Sequence, residues 1–278
     1  MLTLTRKVTF FASHIYRGGG LSNGELDALF GSAAEPGGHG HNYVLELSVR
    51  GPVNSEDGMV INIKLVDAAL KTALEGIDHR LLNDAMPEFR DTVPTTENLA
   101  LALWNRLPQH IGAARRVALK VEEHPGLYVE INEERAHMIY LTRAIEFSAS
   151  HRLHSEKLSD EENCRIYGKC NNPHGHGHNY VAEITVAGVP DSRSGIVIDL
   201  GKFEALLDAE IDARFDHKHL NLDTEFFKNF PATAENIAVV IWNLIEKKIP
   251  TCRDGGEVKL QRVRLIETAR SWFDYYGA

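Results

Sequence analysis

At 278 residues the chain has room for two domains of ordinary size. Its composition, 43% hydrophobic and 25% charged, is that of a globular protein, and no apolar run is long enough to span a membrane. The formal charge of −9 disfavours sequence-independent nucleic-acid binding, which needs a basic footprint, but leaves room for an anionic small molecule at a local basic cluster.

The opening MLTLTRKVTFFASH carries Arg6 and Lys7 inside its short apolar stretch, with no small-residue cleavage site after it, so no secretion signal is expected there. Phe10–His14 closes a β-prone run, and a Gly-rich loop leads to a second strand, NYVLELSVRG. KLVDAALKTALEG has apolar residues at helical spacing and reads as a helix. After the Asp78-His79 turn comes a second helix with Leu99, Leu103 and Leu107 along one side. VALKVEE and GLYVEINE read as a closing hairpin, and NEERAHM near 132–138 breaks the periodicity and marks the joint between two halves.

Beyond that joint the order repeats. FFASH returns as SASH ending at His151, GGHGHNY as HGHGHNY, GMVINI as GIVIDL, IDHRLLN as FDHKHLN, and TTENLALALW as TAENIAVVIW. His151, His176 and His178 each lie 137 positions after His14, His39 and His41. Asp216 and Trp242 lie 138 after Asp78 and Trp104. Five blocks in one order mark a duplication. The fold class expected is α+β: two tandem domains, 1–134 and 138–278, each ββααββ with an antiparallel sheet and two helices on one face.

Two histidines at i and i+2 on a strand share a face, as His39 with His41 and His176 with His178 would. A third histidine, His14 or His151, ends the strand expected beside them. Three neutral imidazoles with one open position are what a catalytic zinc needs. Cys170, six positions before His176, stands where a cation and an imidazole would make its thiol a general base. Cys164 and Cys252 have no such setting, and three sparse cysteines indicate a reducing compartment, hence the cytoplasm. Asp216-His217 has the makings of a carboxylate–imidazole relay, or of a surface turn with a capping Asp. Glu267 shares strand parity with Val263 and Leu265, so its carboxylate needs a partner, which two donors on a guanidine-like edge would supply. Its match in the first half is Glu122 or Glu123, parity favouring the latter. Thr233 and Glu235 open the second helix, where capping is their simplest role.

SASHRLHSEKLSDEEN, GKCNNPHGHGHNY, DHKHLN, TAENIAVVIW and VRLIET together resemble the 6-pyruvoyltetrahydropterin synthase family of the T-fold, closely over 143–276 and more loosely over 4–131. The resemblance implies a lyase of tetrahydrobiopterin synthesis that eliminates triphosphate from 7,8-dihydroneopterin triphosphate. It implies zinc on His151, His176 and His178, and on His14, His39 and His41 in the first half. Cys170 would take a carbon-bound proton, Asp216 with His217 would assist, and Glu267 would anchor the pterin, with Thr233 and Glu235 also at the substrate. A sister branch, the 6-carboxytetrahydropterin synthases, places its cysteine four residues before the first histidine of the pair. The interval of six here favours the pyruvoyl branch. Ala33 stands at the position of Cys170 in the first half, so that half is expected to be catalytically degenerate, a scaffold or pterin-binding copy. Family members stack two three-domain rings, so a homotrimer of tandem chains imitating a hexamer is the expected assembly.

Overall fold

A computed structural model describes residues 1–228 and 230–277. The first repeat runs β1 (Leu2–His14), α1 (Asn23–Phe30), β2 (His39–Gly51), α2 (Ile63–Ala73), β3 (Arg80–Leu81), α3 (Leu82–Ala85), α4 (Thr96–Arg106), β4 (His110–Ile111), β5 (Ala114–His124) and β6 (Leu127–Asn132). The second runs β7 (Ile139–His151), α5 (Asp160–Tyr167), β8 (His176–Gly188), α6 (Leu200–Leu207), α7 (Ala213–Phe215), β9 (Lys218–His219), α8 (Leu220–Asp223), α9 (Ala234–Ile245), β10 (Val258–Thr268) and β11 (Ser271–Tyr275). The expected ββααββ order is present in both, as β1-β2-α2-α4-β5-β6 and β7-β8-α6-α9-β10-β11.

In the first repeat the strands lie in the order β6-β5-β2-β1-β3, with β4 also on β5. β1, β2, β5 and β6 are antiparallel, whereas the two-residue β3 joins β1 in parallel. In the second, β11-β10-β8-β7 follow one another and β9 joins β7 in parallel. Alternation puts one face of each sheet in the core: Leu45, Leu47 and Val49 of β2 are fully buried, as are Tyr180, Ala182 and Ile184 of β8. The helical stripes are buried as their spacing predicts, with Leu99, Leu103 and Leu107 at 0–3% exposure and Ile237, Ile241 and Ile245 at 0%. Removing one such leucine or isoleucine to Ala costs about 2–5 kcal/mol.

Three local features differ from the sequence reading. The Gly-rich loops contain α1 and α5, each started by a serine that accepts a backbone N–H while Glu25 or Glu162 reaches back, a reciprocal cap. The second-repeat counterpart of the KLVDAALKTALEG helix passes from α6 to α7 through a π segment at Asp208–Asp212. The Asp-His turns place His79 and His217 at φ of 59° and 54°, a left-handed conformation rare outside glycine. That turn is clamped to the neighbouring strand: His217 N–H donates to the Ser148 carbonyl at 2.7 Å, and Ser148 N–H to Asp216 Oδ1 at 2.8 Å.

Close packing divides the chain into two compact units. One is Met1–Leu141 with Ala187–Gly201 and Arg253–Val258; the other is Thr142–Val186 with Lys202–Cys252 and Lys259–Ala278. Thus GIVIDL, a block of the second repeat, belongs to the first unit. No helix among the described residues is long and apolar enough to cross a membrane.

Candidate metal centre

Strand register makes the histidine clusters. His14 at the end of β1 pairs directly with His39 at the start of β2, and two-residue alternation brings His41 to the same face. Gly38, at φ 67°, lets the loop enter β2 so close to His14 that a Cβ there would lie 2.4 Å from the His14 carbonyl oxygen. Gly175 does the same before β8, 2.7 Å from the His151 oxygen.

In the second unit the potential ligand atoms of His151, His176 and His178 all lie within 4.8 Å of one another. His151 Nδ1–H donates to the Ala232 carbonyl at 2.6 Å, so its Nε2 is a bare lone pair, 3.1 Å from His176 Nε2. Burial pushes His151 down to about 4 and lowers His176 as well, so both imidazoles are neutral at pH 7. His178 Nε2 is buried with no hydrogen-bond partner. Three imidazoles gathered this closely, one with an orphaned nitrogen and one held by a backbone carbonyl, fit a bound cation.

Around this cluster, Glu267 Oε1 stands 3.8 Å from His178 Nε2 and is half-buried at the end of β10. Tyr180 offers its hydroxyl within 3.3 Å of His151 Nδ1. Burial raises that phenol above its ordinary value, and the charges of Glu267 and Cys170 raise it further. Cys170 is half-buried in the short turn Gly168–Asn171, tied down where Leu153 N–H donates to its carbonyl at 2.9 Å. Cys164 is exposed on α5 and Cys252 buried. Thr233 caps α9, accepting Asn236 N–H, and Glu235 is exposed in its first turn.

Asp216 and His217 are not gathered with the triad. Ser148 Oγ hydrogen-bonds Asn179 Oδ1 at 3.0 Å, and His217 lines an open cleft of about 560 Å³ with Ser148, Ser150, His178 and Asn179. His217 Nδ1 bonds Asp216 Oδ2, and its ring is 83% exposed. The Ser148 N–H, then His217, hold Asp216 below the usual carboxylate range. In the first repeat Phe11 replaces Ser148, and its ring lies 5.1 Å from that of His79.

The first unit repeats the cluster with differences. His14 Nδ1 bonds the Pro94 carbonyl at 2.8 Å, and its Nε2 is 3.0 Å from that of His39. Burial lowers both His14 and His41 to about 4. Here a carboxylate joins: Glu123, 7% exposed, with Oε1 3.3 Å from His41 Nε2. Its neighbour Glu122 pairs with Lys120 instead. Ala33 occupies the place of Cys170. Sequence reasoning missed Tyr180, the two carbonyls that orient the histidines, and the paired asparagines Asn83 and Asn221. Each asparagine clamps the residue after the first histidine through its backbone N–H and carbonyl. Their recurrence in the DH-x-x-x-N spacing of both copies was the available signal.

The model of the family described as 6-pyruvoyl tetrahydropterin synthase matches residues 3–134 and again 140–278. The 6-pyruvoyl tetrahydrobiopterin synthase of Drosophila melanogaster is 46% identical over 138 residues, 50% of this chain and 79% of that protein. The solved 6-pyruvoyl tetrahydropterin synthase of Caenorhabditis elegans is 40% identical, covering 51% of this chain and 96% of that one, with a TM-score of 0.46. A 6-carboxy-5,6,7,8-tetrahydropterin synthase from Rickettsia bellii is 31% identical over 147 residues, 47% of this chain and 95% of that protein. With both repeats matched in turn, the chain belongs to the 6-pyruvoyl tetrahydropterin synthase family.

Proposed function

We propose that the chain is a zinc-dependent lyase that converts 7,8-dihydroneopterin triphosphate to 6-pyruvoyltetrahydropterin, with chemistry confined to the second repeat, 138–278. The observation that carries this reading is the convergence of three imidazoles, His151, His176 and His178, with Glu267 beside them. Relatives named for that synthase, at 42–49% identity, support it.

The residues divide the work. Zinc on the triad would supply Lewis acidity toward the hydroxyls of the substrate side chain. Glu267 accepts two hydrogen bonds from the 2-amino and N3–H edge of the pterin, orienting the ring. The Cys170 thiolate takes the carbon-bound proton. Asp216 keeps the His217 ring oriented and supports its charge while it relays a proton. Asp216-His217 is not among the groups gathered with the triad, which supports a site completed by a neighbouring chain, in a homotrimer that imitates a hexamer. The three free cysteines support a cytoplasmic setting. The first repeat, 1–134, contributes scaffold.

Incubating purified protein with dihydroneopterin triphosphate and identifying the product tests this. 6-Pyruvoyltetrahydropterin with released triphosphate is the expected result. 6-Carboxytetrahydropterin would move the chain to the sister branch, to which the Rickettsia relative belongs by name.

A further inference from the structure

The two histidine clusters differ in one ligand, and the difference is built into the surrounding residues. In the first unit His14, His39, His41 and Glu123 form a set of four whose potential ligand atoms lie within 4.8 Å of one another, whereas the second unit gathers three histidines alone. Glu123 does not reach His41 by chance. Thr96, itself 6% exposed, donates its hydroxyl hydrogen to Glu123 Oε2 and leaves Oε1 facing His41. The corresponding residue in the second repeat is Ala234, which has no hydroxyl, and there Glu267 stands farther off and more open: 3.8 Å and 21% exposed, against 3.3 Å and 8% for Glu123. A carboxylate so buried needs a compensating charge, and a cation is the partner shared by all four groups.

The space next to the cluster argues the same way. The cavity that touches Glu123 is small, about 60 Å³. Tyr16, Phe30, Ile196 and Ile198 help to wall it. The wall is fastened: Thr95 Oγ1 donates to the Gly195 carbonyl at 2.9 Å, and Val197 N–H donates to the buried Glu97 carboxylate at 2.9 Å. No thiol base is present in this repeat, Ala33 standing in its place.

We propose that His14, His39, His41 and Glu123 form a closed, four-ligand structural metal centre, while the second-repeat triad keeps the open position that catalysis needs. Structural zinc sites are saturated by protein ligands and catalytic ones are not. The duplication would then have turned one copy of a catalytic site into a staple by clamping the carboxylate onto the metal. This rests on the zinc reading above but is separable from it.

The test uses the full chain carrying His176→Ala and His178→Ala, which leaves only the first cluster, loaded with cobalt(II) as a spectroscopic stand-in for zinc. The expected result is one cobalt per chain with intense four-coordinate visible bands that azide does not alter, because no position is open. Adding Glu123→Gln should make the bands azide-sensitive and loosen cobalt by more than about tenfold, a loss that even outer-shell changes reach. Azide-sensitive bands with Glu123 intact would overturn the closed site, and so would a chain that takes up no cobalt. Neither result touches the catalytic reading, which is read separately from the metal content of a chain carrying His14→Ala and His39→Ala. Should Glu123→Gln fail to fold, Thr96→Ala releases the clamp alone, and the azide result on the parent decides.

Discussion

The backbone N–H of His217 donates to the carbonyl of Ser148 at 2.7 Å, and this bond pins the Asp216-His217 pair to β7, beside the cleft that His217 lines with Ser148, Ser150, His178 and Asn179. In the homotrimer proposed above, the pair serves the triad of a neighbouring chain. Chains inactivated by Cys170→Ala and chains inactivated by His217→Ala should therefore complement one another when dissociated and reassembled together. A fraction of the activity should return, from interfaces that pair an intact thiol with an intact relay. No recovery in a verified mixed assembly would mean that each site is built within one chain.

Cys170→Ala should leave fold and metal content intact and slow turnover by about a hundredfold or more, the usual scale for loss of a general base. Cys164→Ala removes a thiol that only accepts a weak hydrogen bond from Asn171 Nδ2 at 3.6 Å, and should leave turnover near that of the parent. Steady-state rates of the two variants decide, and the reverse order would show that the wrong thiol has been assigned.

Glu267→Gln keeps the shape of the side chain and removes its charge. It should weaken binding of a pterin product analogue by about 1.5–3 kcal/mol, the worth of a hydrogen bond to a charged group, with a smaller change in kcat. Fluorescence titration of the analogue gives the dissociation constant, and an unchanged value would remove Glu267 from the anchoring role.

Burial raises Glu97 from the ordinary carboxylate range to about 7. Between about 4.5 and 7 the folded chain therefore holds a proton that the unfolded chain has released, and this group's contribution to stability is lost as pH rises through that window. Glu97→Gln keeps an oxygen to accept the Val197 N–H and removes the titration. Denaturation midpoints at pH 5 and pH 8 should show the variant gaining on the parent at the higher pH. A variant that loses more ground at pH 8 than at pH 5 would show that the folded carboxyl is ionised in its pocket.

Much of this molecule was legible in the chain. Duplication is written in five repeated blocks, and two-residue alternation already set His39 with His41, and His176 with His178, on one strand face each. Helical spacing of Leu99, Leu103 and Leu107 foretold a buried stripe, because period and burial are both local properties. Parity along β5 selected Glu123 over Glu122 for the same reason. The Ala33 for Cys170 exchange was equally plain.

Other features depend on groups far apart in sequence. That Thr96 reaches Glu123, that Val197 of the second repeat bonds Glu97 of the first, and that His217 lines a cleft with Ser148 and Asn179 all follow from how elements are brought together. Strand alternation fixes which side of its own strand a residue takes. It carries no information on the distance between two side chains a hundred residues apart, and at a metal centre that distance separates a ligand from a neighbour. The sequence by itself determined the duplication, the family and the two histidine triplets. Tertiary structure alone decided which carboxylate stands closer to its histidine, Glu123 or Glu267, and what His217 packs beside, because both are set by hydrogen bonds and packing between remote segments.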